Sequence, residues 1–299
     1  MLTKRTVEAP DKWITLRDGR RLGYLSCGDQ SGLPVFYCHG FPGSRLEVLL
    51  ADEISATHSI RLIGVDRPGY GLSDAEPDRS LTSWASDIVE LADRLNIARF
   101  HVLGVSGGGP YAAACAYKLP FRLLSVGIAC GLAPIGTAGI LSGMNMINRF
   151  GLLLSARRPS LIETGLIPIS VLVRNHPVIA WSFVALRSRQ PDRSFLRRGD
   201  IRSVMCMTFR EAMRFGAAGA ASDLRLYSGG WGFRLKDIRT PVNLWHGEKD
   251  RIVPIAMGRR VAASIPDCRA TFLPIHGHFS LILEGMPNFL GEIAARSRL

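Results

Sequence analysis

The segment from Phe100 to Gly109 places a serine among closely spaced glycines. The apolar run Phe100–Val105 leads into Ser106, and Gly104 and Gly108 flank that serine in a Gly-x-Ser-x-Gly pattern. A serine on a sharp strand-to-helix turn has strained backbone angles, and the turn leaves no room for side chains two positions away. The pattern therefore predicts a nucleophilic Ser106, against the alternative of a glycine-rich turn that only serves packing.

A serine hydroxyl is a weak nucleophile and needs a base and an acid that orients the base. His278 lies near the C-terminal end of the sequence, and Asp250 directly follows an apolar strand pattern. The chain order Ser106, Asp250, His278 is one that catalytic triads use. His276 and Glu248 are the alternatives for the base and for the acid.

Other uses of these residue types are less well supported. The glycines lack both the Walker A spacing with its lysine and the dinucleotide-binding fingerprint. The six cysteines show no C-x-x-C spacing and lie in apolar runs, which predicts reduced, buried thiols in a reducing compartment. We therefore expect neither a cofactor nor a metal.

The net charge raises the question of whether the chain binds nucleic acid. The chain of 299 residues has 37 Lys+Arg against 25 Asp+Glu, a formal net charge of +12. Such an excess suits nucleic acid, but no basic run is interleaved with aromatic residues, so a solvated surface and no nucleic-acid partner are predicted.

The uncharged stretch 123–148 is long enough to span a bilayer, yet glycines and a proline interrupt it. A strand followed by a connection is the prediction there, together with no membrane partner. Residues 1–10 lack an apolar segment, which predicts no signal peptide and a cytoplasmic location.

Short apolar runs alternate with helical patterns, which predicts an α/β fold with a mostly parallel sheet. Asp18-Gly19 indicates a hairpin between the first two strands. The predicted strands are Trp13–Leu16, Arg20–Ser26, Val35–Cys38, Ile60–Val65, Phe100–Val105, Leu124–Ala129, Val242–His246 and Arg269–Leu273. Helical patterns cover residues 44–56, 82–95, 107–118, 254–264 and 287–296.

Residues 134–225 break this alternation. They contain thirteen arginines, no lysine and five acids, so this segment holds +8 of the net charge of +12. Strand patterns are few and amphipathic helical patterns are many. The prediction is a helical cap, residues 134–225, inserted into a core formed by residues 1–133 and 226–299.

Five motifs in order resemble those of the α/β-hydrolase fold family. His39–Ser44 resembles the oxyanion loop, Asp66–Ser73 the loop after the fourth strand, and Val105–Gly108 the nucleophile elbow. Gly247–Pro254 resembles the acid loop and Gly277–Phe279 the histidine loop. The resemblance implies the α/β-hydrolase fold, with a mostly parallel eight-stranded sheet flanked by helices and an inserted helical cap. Within the family it points to the esterase-like serine hydrolases.

The resemblance also implies roles for the site residues. Ser106 would attack, His278 would transfer the proton, and Asp250 would orient the imidazole. The backbone N–H groups of Phe41 and Gly107 would form the oxyanion hole. Gly107, where relatives often have a bulkier residue, would leave room beside the nucleophile, and His39, Asp66 and Arg67 would be structural.

The implied function is hydrolysis of a small or medium carboxylic ester through an acyl-enzyme, with a small-molecule substrate. Amide or aminopeptidase, lactone and C–C bond hydrolysis and a perhydrolase side activity stay open, as do a non-catalytic receptor and a membrane-surface lipase. Four cap residues could line a pocket or pack the cap core: Trp181, Phe183, Met205 and Met207. The sequence assigns no oligomeric state.

Overall fold

The computed structural model describes residues 12–296, without the side chain of Arg296. The signal-peptide prediction concerns residues 1–10 and lies outside the described residues. One sheet of eight strands organises the core. The strands are β1 (Lys12–Thr15), β2 (Arg21–Gly28), β3 (Leu33–Cys38), β4 (Ile60–Val65), β5 (Phe100–Val105), β6 (Leu123–Ala129), β7 (Val242–Gly247) and β8 (Cys268–Leu273).

The strands follow the order β1-β2-β4-β3-β5-β6-β7-β8. β2 runs antiparallel to both β1 and β4, and the remaining neighbours are parallel. β5 and β7 are buried along their whole length, which explains why these strands are nearly continuous apolar runs. The predicted mostly parallel eight-stranded sheet is confirmed. The bounds of β4 and β5 match the prediction, and the other strands differ at their ends.

Helices cover both faces of the sheet. On one face pack α2 (Ser83–Arg94), α3 (Gly109–Lys118) and α10 (Ile255–Ser264). On the other face pack α1 (Asp52–Thr57) and α11 (His278–Arg296). The predicted helix 44–56 is a 3-10 helix, Arg45–Ala51, that continues into α1.

The C-terminal helix is longer than predicted. Its predicted start at residue 287 is wrong, because α11 begins at His278 and contains Pro287 in its interior. A proline inside a helix removes one hydrogen bond and is usually a stop signal. Here Leu281, Leu290 and Ile293 are all buried in the core under the sheet, and this packing keeps the helix continuous across Pro287.

The chain between β6 and β7 is helical, as the sequence predicts. It contains α4 (Met146–Arg157), α5 (Pro159–Asn175), α6 (Pro177–Arg187), α7 (Asp192–Leu196), α8 (Gly199–Ala212) and α9 (Ala218–Ser228). We refer to these six helices as the cap helices. The cap boundary at residue 225 stays a prediction, and it falls within α9.

The uncharged stretch 123–148 forms β6, a connection and the start of α4, in agreement with the predicted strand plus connection. Among residues 12–296, no single helix is long and apolar enough to cross a bilayer. The pair α5 and α6, bent by 108° at their junction, meets those length and composition criteria only when the two helices are taken together.

Candidate active site

Ser106 lies at the sharp turn between β5 and α3. Its φ is +54°, in the left-handed region that residues with a Cβ rarely adopt. A Cβ on Gly104 would lie 2.5 Å from the carbonyl oxygen of Gly108, and a Cβ on Gly108 would lie 2.0 Å from the carbonyl oxygen of Cys38 at the end of β3. Both glycines are therefore required by close backbone approaches, as the sequence pattern predicts.

The structure brings the three predicted triad residues together. The Ser106 Oγ lies 2.9 Å from the Nε2 of His278, and the His278 Nδ1 lies 2.6 Å from a carboxylate oxygen of Asp250. All three residues are buried. Asp250 is fixed by the backbone N–H groups of Ile252 and Val253, which donate to its other oxygen at 2.8 Å each. The imidazole is thus held at both nitrogens and points at the serine.

The two alternatives from the sequence lie elsewhere. His276 is paired with Glu284 at 3.1 Å, and Glu248 is exposed and lies 3.4 Å from Arg259. His246 is also close to Asp250, but it is buried with its Nε2 2.8 Å from the carbonyl oxygen of Val253. These positions leave His278 and Asp250 as the pair that faces Ser106.

The electrostatics of the site favour a charged imidazole. Burial by itself lowers the pKa of His278, but the adjacent Asp250 carboxylate outweighs burial, so this pKa lies well above its ordinary value. A general base must be neutral before it accepts a proton. Once His278 has accepted one, the adjacent Asp250 carboxylate stabilises the imidazolium.

The predicted oxyanion-hole residues lie side by side. A Cβ on Gly107 would come within 3.3 Å of the Phe41 backbone nitrogen. The same Cβ would approach the Phe41 Cβ and the Tyr227 hydroxyl to 2.7 Å each. The expected room beside the nucleophile is therefore absent at this glycine, because Phe41 and Tyr227 fill it. Gly107 is required by close packing against the oxyanion loop.

The oxyanion loop, residues 39–44, is held from two sides. Glu47 accepts a 2.9 Å hydrogen bond from the Gly40 N–H, and Tyr37 donates to the same carboxylate oxygen at 3.1 Å. From the other side, Arg67 donates to the carbonyl oxygens of His39 and Gly40. These bonds fix the backbone directly before Phe41.

Arg67 belongs to a buried cluster centred on Asp223 of α9, which we call the Asp223 cluster. Every side chain in it is buried, and the Asp223 carboxylate accepts six hydrogen bonds. The donors are Arg67, Arg79, Tyr70, Tyr111 and Tyr227. Burial raises the pKa of Asp223, but Arg67 and Arg79 outweigh it and lower this pKa to about 2. A charged acid from the cap helices thus anchors the arginine that holds the oxyanion loop.

Asp192, the first residue of α7, supports the histidine loop from the cap side. One of its carboxylate oxygens accepts the His278 N–H at 2.9 Å, and the other accepts both the N–H and the hydroxyl of Ser280 at 2.9 and 2.8 Å. These N–H groups belong to the first turn of α11, where a helix leaves its donors unpaired. Asp192 therefore fixes the backbone of the triad histidine.

Cys130 follows β6 and lies within reach of the triad. Its thiol, a carboxylate oxygen of Asp250 and a ring nitrogen of His278 lie within 4.8 Å of one another, the geometry of a candidate metal site within residues 12–296. The two ring nitrogens of His278 are already used, one by the Asp250 carboxylate and the other by the Ser106 hydroxyl. None of the six cysteines forms a disulfide with another described residue, and five of them are buried, as predicted.

Sequence reasoning missed Glu47, Cys130, Asp192, Asp223 and Tyr227. None lies in a motif, and Asp192 and Asp223 act through partners that are far away along the chain. A usable signal was the scarcity of acids among residues 134–225, since an acid in an arginine-rich segment is a candidate for a buried ion pair. Of the four candidate pocket residues, Trp181 and Met205 pack the cap core, whereas Phe183 and Met207 are exposed.

A family model described as the alpha/beta hydrolase family matches residues 35–289. The chain belongs to the alpha/beta hydrolase family. Its predicted fold is thereby confirmed, and membership in this family supports the assignment as a hydrolase.

Among curated proteins, a 2-hydroxy-6-oxononadienedioate/2-hydroxy-6-oxononatrienedioate hydrolase from Cupriavidus pinatubonensis is 27% identical over 295 residues, 92% of this chain and 91% of that protein. A non-heme chloroperoxidase from Streptomyces lividans is 28% identical over 124 residues, and this match covers 41% of this chain and 45% of that protein. The second likeness therefore concerns only part of each molecule.

Two solved structures cover nearly the whole chain. A thermophilic esterase from Thermogutta terrifontis has a TM-score of 0.63 and 23% identity, covering 97% of this chain and 98% of its own. An enol-lactonase from Burkholderia xenovorans has a TM-score of 0.69 and 19% identity, covering 96% and 100%. At these identities the likeness shows the fold alone.

Proposed function

We propose that the protein is a serine hydrolase that cleaves a carboxylic ester of small or medium size through an acyl-enzyme. The observation that supports this most is the continuous contact from Ser106 to His278 to Asp250, at 2.9 and 2.6 Å. The proposed reaction needs no metal or cofactor, because these three side chains supply the nucleophile, the base and the orienting acid.

In the acylation half, the Ser106 Oγ attacks the ester carbonyl carbon while its proton passes to the Nε2 of His278. The carbonyl oxygen becomes an oxyanion and accepts hydrogen bonds from the backbone N–H groups of Phe41 and Gly107. When the tetrahedral intermediate collapses, the C–O bond to the alcohol breaks and His278 gives its proton to the leaving oxygen.

In the deacylation half, a water molecule replaces the alcohol. His278 takes one of its protons, and the hydroxide attacks the acyl carbon. Collapse of the second intermediate returns the proton to Ser106 and releases the acid. Asp250 stays ionised throughout and stabilises the imidazolium that forms twice in the cycle.

The experiment is pre-steady-state hydrolysis of a short p-nitrophenyl ester. We expect a burst of p-nitrophenolate close to one equivalent per protein, followed by steady turnover. The matched variant Ser106→Ala keeps the fold and loses both phases, while Ser73→Ala, a second buried serine on a neighbouring loop, keeps the burst. A steady rate that is unchanged in Ser106→Ala contradicts the proposal. A burst without steady turnover points to a binding protein that is acylated once.

C–C bond hydrolysis is the second candidate, because the Cupriavidus relative acts on a 2-hydroxy-6-oxo acid and spans nearly the whole chain. Such a substrate contains no ester, so its hydrolysis must break a carbon–carbon bond beside the ketone. The two candidates are separated by comparing kcat/KM for short aryl esters and for a 2-hydroxy-6-oxo-dienoate. A ratio that favours the dienoate overturns the ester assignment.

A further inference from the structure

Helices α5 and α6 expose an unusual amount of apolar surface. Of the seventeen exposed large apolar side chains among residues 12–296, nine lie on α5 and α6, and three more lie on α4. Soluble proteins rarely expose such side chains together without a binding partner. We define the outer cap face by six of the exposed residues on α5 and α6: Leu161, Val171, Leu172, Ile179, Phe183 and Leu186.

These positions follow helical spacing. On α5, Val171 and Leu172 follow Leu161 by ten and eleven residues, which is close to three helical turns, so the three lie on one side of the helix. The opposite side, which contains Ser170 and Val173, is buried. On α6, residues 179, 183 and 186 recur in the same way, opposite the buried Trp181 and Ala185. Each helix thus has one buried side and, opposite it, exposed apolar residues that no described residue covers.

Exposed arginines lie on the same helices and directly beside them in the chain. Six exposed arginines lie between residues 146 and 191, against the single acid Glu163. They are Arg149, Arg157, Arg158, Arg174, Arg187 and Arg189. A surface cleft of about 610 Å³ at the C-terminal end of α5 adds Arg210 and Arg214 to Arg174, with Asn175 and Glu211 as the other lining residues.

Three acids of the cap helices face the core instead. Asp192 bonds the histidine loop, Asp223 binds Arg67, and Glu211 lies 2.7 Å from Arg45 of the core. Three of the five acids between residues 134 and 225 are thereby used at the junction with the core. The outward surface is left both apolar and positively charged.

We propose that the outer cap face docks on the surface of a membrane that contains anionic lipids. Apolar side chains would enter the boundary between headgroups and acyl chains, and the arginines would meet lipid phosphates. A second copy of this chain fits less well, because a twofold contact would place the same arginine-rich surfaces against each other. The proposal replaces the sequence-based prediction of no membrane partner, and it does not depend on the catalytic assignment.

The experiment is sedimentation of the full-length chain with lipid vesicles. We expect at least about tenfold more protein to sediment with vesicles containing phosphatidylglycerol than with pure phosphatidylcholine, and less as salt rises. The variant Ile179→Ser, Phe183→Ser, Leu186→Ser should lose this binding. Its matched control, Trp13→Ser, Phe121→Ser, Ile275→Ser, removes three exposed apolar side chains of the core and should keep it.

A charge test uses the same design. Arg174→Glu with Arg187→Glu should reduce binding at least about tenfold, whereas Arg260→Glu with Arg269→Glu, on exposed positions of the core, should reduce it only slightly. Circular dichroism checks that every variant is folded. The proposal is overturned if the wild-type protein does not sediment with anionic vesicles, or if the core and cap variants lose binding equally. Self-association that the apolar cap variant abolishes, without vesicle binding, would assign the face to a second copy instead.

Discussion

The inner and outer sides of the cap helices differ in which residue types they bury and which they expose. On the inner side, Asp223 is buried, Asp192 and Glu211 are partly buried, and each of these three acids is bonded to a named partner. On the outer side, apolar residues are exposed and the arginines around them are in contact with solvent. Sequence composition alone does not separate these sides, because both lie in the same arginine-rich segment. Three of the five acids that enter the net charge of +8 are bonded to the core, so the outer side is more basic than this sum indicates.

The largest expected effect concerns the Asp223 cluster. Asp223→Asn leaves two buried guanidinium groups, Arg67 and Arg79, without their carboxylate, and we expect a loss of about 3–5 kcal/mol in the free energy of unfolding. The matched control Asp200→Asn removes an exposed ion pair with Arg198 and should cost less than about 1 kcal/mol. Denaturant unfolding measures both.

Equal losses in these two variants would remove the distinction between the sides. If Asp223→Asn does not fold, Tyr227→Phe is the milder variant. It deletes one hydroxyl that donates to Asp223 at 2.9 Å and should cost about 1 kcal/mol.

Glu47 gives the next largest effect and depends on pH. Burial raises its pKa from 4.5 to about 7, despite the Gly40 N–H that lowers it. The folded state therefore binds this proton more tightly than the unfolded state, so the protein loses stability as pH rises from 4.5 to 7. The difference amounts to about 3 kcal/mol.

Glu47→Gln keeps an acceptor for the Gly40 N–H and does not titrate. Unfolding measured across this pH range should show that the wild type loses stability relative to the variant as pH rises. If the free energy of unfolding of the two proteins changed with pH in the same way, the raised pKa of Glu47 would be contradicted.

Asp192 tests the junction at the histidine loop. Asp192→Ala removes three hydrogen bonds from the first turn of α11, and loss of such a cap costs about 0.5–2 kcal/mol. Since His278 is in that turn, we also expect kcat to fall more than KM changes. Glu163→Ala, on the outer side, should change neither. A variant that loses stability but keeps kcat would make Asp192 purely structural.

The smallest effect belongs to the outer cap face. Ile179→Ser exchanges an exposed residue for one of similar helix propensity, so the free energy of unfolding should change by no more than about 0.5 kcal/mol. A large loss of stability in this single variant would show that Ile179 packs against other residues, and the outer face would then be part of the cap core.

Much of the core and the contact between Ser106, His278 and Asp250 could be predicted from the sequence because local patterns determine them. β5 and the turn at Ser106 are encoded by an apolar run and glycines, and Asp250 and His278 lie in short motifs. Asp192 and Asp223 could not be found in this way. Each bonds residues 86 to 156 positions away, and no local pattern encodes such a pairing. The start of α11 was missed because burial overrides the proline signal.

The most direct test of the central claim is intact-mass labelling with a small fluorophosphonate. We predict one adduct on the wild type, none on Ser106→Ala, and strongly slowed labelling of His278→Ala. Labelling should also accelerate as pH rises, because the raised pKa of His278 must be exceeded before the imidazole is neutral. An adduct that persists in Ser106→Ala, or a folded wild type that stays unlabelled at all pH values, would contradict an activated serine at this position.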